Sequence, residues 1–323
     1  MSDENVIEAS DLTKSYGGVL AVDHIHFKVK RGETYGFLGP NGSGKTTTIR
    51  MLTGLSRPTD GKASVLGYCI DSSIVDIKKH IGVVPEISNL WDELSAMDNL
   101  LFMARLYGVP CVQCRKKAEE LLATFGLYDR RDSLFRTLSR GMKRSLTIAA
   151  ALIHEPNVLF LDEPTVGLDV VAARSLRNLI SNLKKQGITI FLTTHYLEEA
   201  DILCDRIAIL VKGRIVEIDT PDVLKTHAEE KPAIEFSFNR ETPGLNAYIS
   251  TIISGVKVVT LDCNKVRIYS ENPSDVYSSV FRFAERDGVK INSVNNIKPT
   301  LEDAFIKITG LNPIVMATEK GGK

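Results

Sequence analysis

The sequence GPNGSGKT, residues Gly39–Thr46, lies between a short apolar run, Thr34–Leu38, and a segment with helical character, Thr47–Leu55. It matches the phosphate-binding loop pattern G-x-x-x-x-G-K-[ST] at every fixed position. Glycines at this spacing allow backbone N–H groups to turn inward around phosphate oxygens, and the following helix adds its positive end. Lys45 is expected to reach the β- and γ-phosphates, and the Thr46 hydroxyl to ligate Mg²⁺. A chance glycine-rich turn explains this context less well, so the sequence predicts a nucleotide-binding strand–loop–helix unit.

Two adjacent acids, Asp162 and Glu163, follow the near-continuous apolar run Val158–Leu161, and a second such run covers Ile188–Thr193. Runs of this kind are typical of strands buried on both faces of a parallel sheet. Because ligands of such sheets bind at the carboxyl ends of the strands, the acids are expected to face the same site as the loop. Neighbouring strand residues point to opposite faces, so one acid is expected to hold the metal and the next to face an attacking water. The alternative is an Asp-Glu-Pro that only ends a strand.

The length and composition indicate how many folded units the protein has and which classes of partner are disfavoured. Its 323 residues exceed the ~250–300 at which single cores stop growing, so two or more folded units are expected. The 40 Lys and Arg residues balance 40 Asp and Glu residues, which argues against binding nucleic acid through bulk charge. The polar, acidic start, Met1–Asn5, differs from a secretory signal, and no apolar stretch reaches the ~18 residues of a membrane span. A role at a membrane would therefore require a separate partner.

Five scattered cysteines, an odd number, disfavour a disulfide framework and suit a reducing compartment. Cys111 and Cys114 form a C-x-x-C pair, for which two interpretations stay open. One is a redox pair or half of a zinc site, and the other is a pair of thiols in the first turn of a helix after Pro110. No second C-x-x-C or pair of histidines supplies the remaining ligands, which favours the helical interpretation.

The hydrophobic pattern divides the rest of the chain into two parts. Spacings of three and four predict amphipathic helices over Leu94–Tyr107 and Arg115–Phe125, and Lys212-Gly213 predicts a hairpin. After Thr220-Pro221 the pattern changes, and polar residues 229–232 are typical of a linker. The elements predicted beyond it are strands at Ala233–Phe238, Lys257–Leu261 and Lys265–Tyr269 and helices at Asp275–Glu285 and Leu301–Ile308. They predict a small C-terminal α+β domain over residues 231–310 and a flexible tail over 311–323.

Four segments in a fixed order carry a family resemblance. They are GPNGSGKT, LSRGMKR at Leu138–Arg144, NVLFLDEPTVGLD at Asn157–Asp169, and His195 directly after a strand-like run. A chain with this order resembles the ABC-type ATPases, the nucleotide-binding subunits of ABC transporters. The resemblance implies an α/β fold in which residues 1–230 form a P-loop, RecA-like core with an antiparallel edge and an inserted helical subdomain at about 85–153.

The resemblance also implies a role for each matching residue. Tyr16 falls where the family places an aromatic ring against adenine, and the alternative is a tyrosine packed in the core. Asp162 is expected to hold Mg²⁺, Glu163 to orient or deprotonate the hydrolytic water, and His195 to sense the γ-phosphate. The implied catalytic residues are Lys45, Glu163 and His195, and the implied metal ligands are Thr46, Glu86 and Asp162. The residues expected to bind the nucleotide are Tyr16, Gly39, Pro40, Asn41, Gly42, Ser43, Gly44, Lys45, Thr46, Thr47, Ser139 and Gly141.

The segment LSRGMKR adds a second helix end that suits an anion. Ser139 is a good N-cap for the apolar-periodic helix Arg140–Ile153, and Gly141 lets an anion approach the helix closely. In the family this helix end covers ATP bound to the opposite subunit, so that two chains enclose two nucleotides. Arg140 and Met142 replace the second Gly and the Gln of the common LSGGQ, while the pair that contacts the anion is kept.

Glu86 is a second departure from the common pattern, since the loop after Val83-Val84-Pro85 usually carries Gln. A carboxylate still ligates Mg²⁺, but it adds negative charge beside the triphosphate and Glu163. The same Glu is familiar in the ABC-2-type exporters of drugs and sodium. That branch also resembles this chain in the C-terminal sequence PTLEDAF, Pro299–Phe305, and in an extra small domain.

These expectations combine into one function with several alternatives. The chain is expected to be a cytoplasmic ATPase, peripheral on the inner face of the cell membrane, that forms a homodimer around ATP and Mg²⁺. It would drive a separate membrane-spanning permease as an exporter, without a nucleic-acid partner. The alternative is a soluble regulatory ABC ATPase, or one that acts on the ribosome or DNA, although the chain has neither two cassettes nor long coiled coils. A P-loop GTPase is disfavoured because no NKxD is present, and the C-terminal domain either stabilises the dimer or senses a ligand.

Overall fold

The computed structural model describes residues 4–228, 232–297 and 299–311, which fall into two compact units. Unit 1 contains the described residues up to Val223 together with 308–311, and unit 2 contains those from Leu224 to Lys307. The domain boundary near residue 230 stays a prediction. Most of the predicted linker, and all but the first residue of the predicted flexible tail, lie outside the described residues.

Unit 1 combines two sheets with helices. Its elements in chain order are β1 (Asn5–Tyr16), β2 (Val19–Lys30), β3 (Thr34–Leu38), α1 (Lys45–Leu52), β4 (Asp60–Val65), β5 (Tyr68–Cys69), α2 (Ile74–His80), β6 (Ile81–Val84), α3 (Ala96–Leu106), α4 (Cys111–Thr124), α5 (Arg140–Leu152), β7 (Val158–Asp162), α6 (Val170–Lys185), β8 (Thr189–Thr194), α7 (Leu197–Leu203), β9 (Arg206–Val211) and β10 (Arg214–Asp219), and α8 (Pro221–Thr226) follows. The larger sheet has the order β10-β9-β3-β8-β7-β6 and is parallel except for β10. The smaller sheet, β2-β1-β4-β5, is antiparallel, so the predicted α/β core with an antiparallel edge is confirmed.

The central strands of the larger sheet are buried on both faces, as their apolar runs predict. Every residue of β3, β7 and β8 is buried. Leu38 pairs with Thr194, and Asp162 pairs with Thr193, so the carboxyl ends of these three strands lie side by side. The sheet therefore gathers the loop after β3, the acids at the end of β7 and His195 after β8 at one edge.

Aromatic side chains join the two sheets of unit 1. The ring of Phe27 on β2 lies 5.8 Å from Tyr35 and 5.1 Å from Phe37, both on β3, and 5.9 Å from Phe191 on β8. All four side chains are buried. Such pairs add about 0.5–1.5 kcal/mol each beyond the burial of their area. This core holds the antiparallel sheet against β3, the strand that leads to the phosphate-binding loop. The first strand of the antiparallel sheet, β1, ends at Tyr16.

Helices α3, α4 and α5 pack on one another between β6 and β7 in the chain. α4 begins at Cys111, directly after a proline, so both cysteines of the C-x-x-C pair lie in its first turn, as the helical interpretation expects. Cys114 is buried, and its thiol donates to a backbone carbonyl just before the helix. Ser139 caps α5 as predicted by accepting from the N–H of Met142 at 3.3 Å. Each helix in the described part of the chain is too short or too polar to cross a membrane.

Unit 2 is a small α+β unit. Its elements in chain order are β11 (Ala233–Phe238), α9 (Leu245–Ile252), β12 (Lys257–Asp262), β13 (Lys265–Tyr269), α10 (Pro273–Asp287) and β14 (Ile291–Ile297), and α11 (Leu301–Thr309) follows. The antiparallel sheet has the order β12-β13-β11-β14 and shares one apolar core with α9 and α10, which is the split β-α-β arrangement. The strand β14 was not predicted because four of its seven residues, INSVNNI, are Asn or Ser. The short helix α9 was not predicted either, although Leu245 and Ile249 are buried in it and Asn246 and Ser250 are exposed.

Candidate functional site

The phosphate-binding loop requires glycine at two positions where another side chain has no room. A Cβ at Gly39 would lie 2.1 Å from the carbonyl oxygen of Leu210, and one at Gly44 would lie 2.5 Å from that of Ala21. Gly44 also has a φ of +107°, in the left-handed region that favours glycine. Both ends of the loop are therefore pressed against backbone, directly before the N-terminus of α1.

Lys45, the first residue of α1, is buried and points back into the loop. Its Nζ donates to the carbonyl oxygens of Gly39 (2.7 Å) and Pro40 (3.1 Å) and lies 3.3 Å from Glu163 Oε1. Burial lowers the pKa of Lys45, and the carboxylate of Glu163 opposes that shift. The Ser43 hydroxyl is buried and has no hydrogen-bond partner among the described residues. A buried ammonium at the N-terminus of α1 fits a ligand rich in acceptor oxygens, such as a phosphate chain.

Asp162 presents a carboxylate at the end of β7 among hydroxyl groups. Its Oδ1 accepts from Thr193 Oγ1 at 2.6 Å and from Thr46 Oγ1 at 3.1 Å. Burial raises the pKa of Asp162, and the two hydroxyl donors offset only part of that shift. Carboxylate and hydroxyl oxygens are hard ligands of the kind that Mg²⁺ prefers. The donor set of Asp162 and Thr46 therefore fits this ion.

The backbone turns sharply at Glu163, which has a φ of +47°. This left-handed conformation is uncommon for residues other than glycine. The Glu163 N–H donates to both the carbonyl and the hydroxyl of Thr193, each at 3.1 Å. The expected strand alternation of Asp162 and Glu163 does not apply, because β7 ends at Asp162. The turn, rather than the pleat of a strand, sets the direction of the Glu163 carboxylate.

The carboxylate of Glu163 is held between two donors. Its Oε1 lies 3.3 Å from Lys45 Nζ, and its Oε2 lies 2.8 Å from His195 Nδ1. Burial raises the pKa of Glu163, but the hydrogen bond from His195 and the charge of Lys45 outweigh it and hold the pKa below its ordinary value. Because an ionised carboxylate only accepts hydrogen bonds, Nδ1 of His195 is the donor. An ionised carboxylate in a buried site is suited to accept a proton from water.

These groups line one cavity of about 270 Å³. Its lining residues are Tyr16, Ala21, Asn41, Gly42, Gly44, Lys45, Thr46, Thr47, Glu86, Glu163 and His195. Gly39, Pro40 and Ser43 belong to the same loop, and Asp162 reaches the cavity through its hydrogen bond to Thr46. Tyr16 is 48% exposed rather than packed in the core, and the Lys14 ammonium lies 4.9 Å from its ring centre. The structure thus brings most of the predicted site residues together.

Ser139 and Gly141 do not line this cavity. Ser139 is exposed at the N-terminus of α5, and a Cβ at Gly141 would lie 3.0 Å from the Cβ of Ala172 on α6. Asp169 caps α6 by accepting from the N–H of Ala172 at 2.8 Å. The N-termini of α5 and α6 therefore form a surface separate from the cavity lining, and the role of Ser139 and Gly141 in binding a nucleotide stays a prediction.

Three residues that shape the site were not predicted. Ala21 lines the cavity, and its small side chain carries no sequence signal. Thr193 contacts both acids but lies inside an apolar run, where it is typical of any buried strand. Arg144 donates to the carbonyl of Asp162 at 2.7 Å, although its place in an amphipathic helix suggests an ordinary surface cation.

Comparisons with known proteins agree with this geometry. Residues 22–166 match the family described as ABC transporter. The linearmycin resistance ATP-binding protein LnrL of Bacillus subtilis (strain 168) is 34% identical over 307 residues, which cover 94% of this chain and 98% of that protein. The chain belongs to the ATP-binding subunits of ABC transporters. The daunorubicin/doxorubicin resistance ATP-binding protein DrrA of Streptomyces peucetius is 44% identical to this ABC subunit over 220 residues, 68% of this chain and 67% of that one.

A solved structure shares the fold of about two thirds of this ABC subunit. It is a dimeric ATP-binding cassette in a post-hydrolysis state, bound to ADP and Pi, with a TM-score of 0.62 and 25% identity over 66% of this chain and 98% of that one. The ABC subunit is an ATP-binding and ATP-hydrolysing protein, as the phosphate-binding loop predicts. These relatives give no support to the alternative of a ribosome- or DNA-associated ATPase without a permease.

Proposed function

We propose that this ABC subunit hydrolyses ATP to drive export through a separate membrane permease, as in the ABC-2-type exporters of drugs and sodium. The observation that carries the proposal is the cavity that brings Lys45, Thr46, Glu163 and His195 together at the carboxyl ends of β3, β7 and β8. Relatives named for resistance to linearmycin and to daunorubicin and doxorubicin support the direction of transport. The subunit would then lie on the cytoplasmic face of the cell membrane, held there by the permease.

Different lining residues would contact different parts of the nucleotide. Tyr16 would stack on adenine, because its ring lines the cavity and is half exposed. Lys45, Thr47 and the N–H groups of Gly39–Thr46 would hold the phosphates. Lys45 is already shielded from solvent there, so its charge acts on the phosphates at a low local dielectric.

Mg²⁺ fits the oxygen donors beside the phosphate-binding loop. Thr46 and Asp162 would hold it, and Glu86 offers a further carboxylate because it lines the same cavity. The ion, when bound, neutralises charge on the phosphates. A donor set made only of carboxylate and hydroxyl oxygens is consistent with this ion and with Ca²⁺, whereas softer metals favour His and Cys ligands.

Catalysis would depend on placing the water beside an ionised carboxylate. Glu163 would orient this water and accept its proton, because its pKa is held low by His195 and Lys45. His195 would keep the Glu163 carboxylate in place through Nδ1 and face the γ-phosphate with the rest of its ring. Lys45 would stabilise the charge that develops on the phosphoryl group.

Replacing Tyr16 by alanine is expected to weaken ATP binding about 10-fold, which corresponds to about 1.4 kcal/mol, within the range for stacking of a base on an aromatic ring. Tyr16→Phe keeps the ring and should bind ATP like the wild type. Isothermal titration calorimetry of the purified chain measures both affinities. Tyr68→Ala is the matched control, since Tyr68 is also partly exposed (39%) but lies outside the cavity. Wild-type affinity in Tyr16→Ala would leave the adenine without its proposed partner.

A second copy of the chain would complete the site. Ser139 and the N-terminus of α5 are exposed, and Val170 and Val171 at the start of the neighbouring α6 are 81% and 76% exposed. Two valines exposed to this extent beside a helix end suited to an anion support an interface with another nucleotide-bound subunit. Each copy carries the full set of motifs, so a homodimer would hold two equivalent sites.

An apolar groove in unit 1 is the surface proposed to receive the permease. It has a volume of about 610 Å³, and Leu55, Val75 and Leu106 in its lining are 68%, 67% and 66% exposed. The adjacent Lys78 and Lys79 favour an occupant with an apolar face and acidic residues beside it, such as a short amphipathic segment of the permease. The groove also contains the proline that precedes Glu86, so its occupant would touch the loop that lines the nucleotide cavity.

Val75→Glu is expected to reduce the amount of permease that co-purifies with the tagged subunit in mild detergent by at least about 10-fold, because it places a charge in an apolar contact. Mass spectrometry identifies the retained membrane protein and measures its amount. Val112→Glu is the matched control, since Val112 is 90% exposed on α4 and lies outside the groove. Equal retention by the two variants would exclude the groove, and retention of no multispanning membrane protein by the wild type would contradict the proposed function.

A further inference from the structure

Arg144 is a buried cation that none of the steps proposed above uses. It lies in the second turn of α5 and is only 7% exposed. Its Nε donates to the carbonyl of Pro164 (2.9 Å) and one Nη to that of Asp162 (2.7 Å). The other Nη donates to the carbonyls of Pro85 and Glu86. Within the described part of the chain, no carboxylate oxygen forms an ion pair with it, and all four of these carbonyls belong to the backbone.

Only an arginine can make this set of contacts. Its planar guanidinium carries five N–H donors in a fixed fork, whereas lysine is a point charge on a flexible stem. Burial lowers the pKa of Arg144 to about 10, with the carboxylate of Asp162 opposing that shift, so the group stays charged at neutral pH. Carbonyl dipoles from two separate loops compensate this charge. The guanidinium in turn holds both loops to α5.

Two of these carbonyls flank Glu163. The carbonyl of Asp162 and the N–H of Glu163 belong to the same peptide group, which Arg144 holds at its oxygen and Thr193 at its nitrogen. The orientation of this group sets the φ of +47° at Glu163. A conformation of this kind costs about 1–3 kcal/mol and persists only where several surrounding contacts hold it in place. The side chains of Arg144 and Thr193 provide such contacts at this peptide group.

The other two carbonyls belong to the loop after β6. The loop carries Glu86, which lines the nucleotide cavity together with Glu163. One guanidinium therefore sets the positions of two cavity-lining acids relative to each other and to α5, the helix that Ser139 caps. Arg144 does not itself line the cavity.

We propose that Arg144 is a positioning residue for ATP hydrolysis, which holds the turn at Glu163 and the loop of Glu86 in the geometry that the reaction needs. This inference rests on the proposed role of Glu163 as the acceptor of a proton from water. Loss of the guanidinium fork displaces Glu163 but removes no group that touches the nucleotide. Turnover is therefore lost while the affinity for ATP is kept.

Arg144→Lys in the full chain tests the proposal, because it keeps the charge and removes the fork. The kcat for ATP hydrolysis is expected to fall about 100-fold, the effect of a displacement of about 1 Å in a catalytic group. The Kd for ATP, measured by calorimetry, stays at the wild-type value. Arg177→Lys is the matched control, since Arg177 is largely buried on α6 and pairs with Glu198 at 3.3 Å, outside the cavity. Its turnover stays at the wild-type value.

A double-mutant cycle distinguishes positioning from a general loss of structure. Arg144→Lys combined with Glu163→Gln is expected to turn over no more slowly than Glu163→Gln alone, because Arg144 acts through Glu163. If Arg144→Lys does not fold, Arg144→Gln takes its place in the cycle, since its amide still donates to a carbonyl. Additive losses in the cycle, wild-type turnover in the single variant, or a Kd that rises in step with the loss of turnover overturns the proposal. Absence of ATP hydrolysis by the wild type would instead contradict the proposed function itself.

Discussion

Glu163→Gln is expected to lower the rate of ATP hydrolysis by about 100- to 10,000-fold, the contribution of a positioned general base. Glutamine keeps the size of the side chain and an oxygen for Lys45, but it does not accept a proton from water. ATP binding is kept, because the loop that holds the phosphates is unchanged. Release of phosphate measures the rate, and size-exclusion chromatography with ATP shows the accumulation of an ATP-bound dimer.

Glu198→Gln is the matched control for this substitution. Glu198 lies on α7, its side chain is 75% exposed, and its partner is Arg177. Because Glu198 does not line the cavity, its neutralisation is expected to leave hydrolysis at the wild-type rate. Full turnover in Glu163→Gln would show that another group accepts the proton.

Lys45→Ala is expected to weaken ATP binding by roughly 100-fold, in the range for truncating one partner of a buried, hydrogen-bonded charge pair. The substitution removes the cation from the loop and leaves the carbonyls of Gly39 and Pro40 and the carboxylate of Glu163 without their shared donor. The carboxylate of Glu163 then keeps its hydrogen bond from His195, but no lysine ammonium offsets its charge beside the phosphates. Calorimetric titration with ATP measures the loss.

The control for Lys45→Ala is Lys116→Ala on α4. Lys116 is 80% exposed and pairs with Glu120 at 3.8 Å, so its removal changes the net charge by the same amount outside the site. Its affinity for ATP stays at the wild-type value. An unchanged Kd in Lys45→Ala would show that GPNGSGKT does not hold the nucleotide.

Local patterns made much of the fold and the site predictable. The runs at Thr34–Leu38 and Val158–Leu161 became fully buried parallel strands, because a strand covered on both faces needs apolar residues throughout. The placement of functional residues at strand ends then followed from the geometry of parallel sheets. Ser139 was predictable as a helix cap because its hydroxyl bonds to a backbone N–H only three residues away.

Features that depend on contacts between distant residues were not predictable. Thr193 and Arg144 form hydrogen bonds at the turn of Glu163 from distant parts of the chain, and no local pattern shows that they meet there, even though Arg144 ends the segment LSRGMKR. The strand β14 is likewise defined by its partner β11, because its own polar sequence has no apolar alternation. The bounds of one helix also differ from the prediction. Helical character was expected over Thr47–Leu55, whereas α1 covers Lys45–Leu52, since the backbone after Leu52 turns at Gly54.

Residues from both sheets of unit 1 line the cavity, and this separates the affinity for ATP from the rate of hydrolysis. Tyr16 and Ala21 come from the antiparallel sheet and its turn region, whereas Glu163 and His195 follow strands of the parallel sheet. With the roles proposed above, changes around Tyr16 would adjust the cellular ATP concentration at which the subunit is half saturated, without disturbing the hydrolytic groups. Changes around Glu163 would slow the cycle without altering that concentration. A lineage of such subunits would then adapt to the energy state of its cell and to the pace of its proposed permease through independent substitutions.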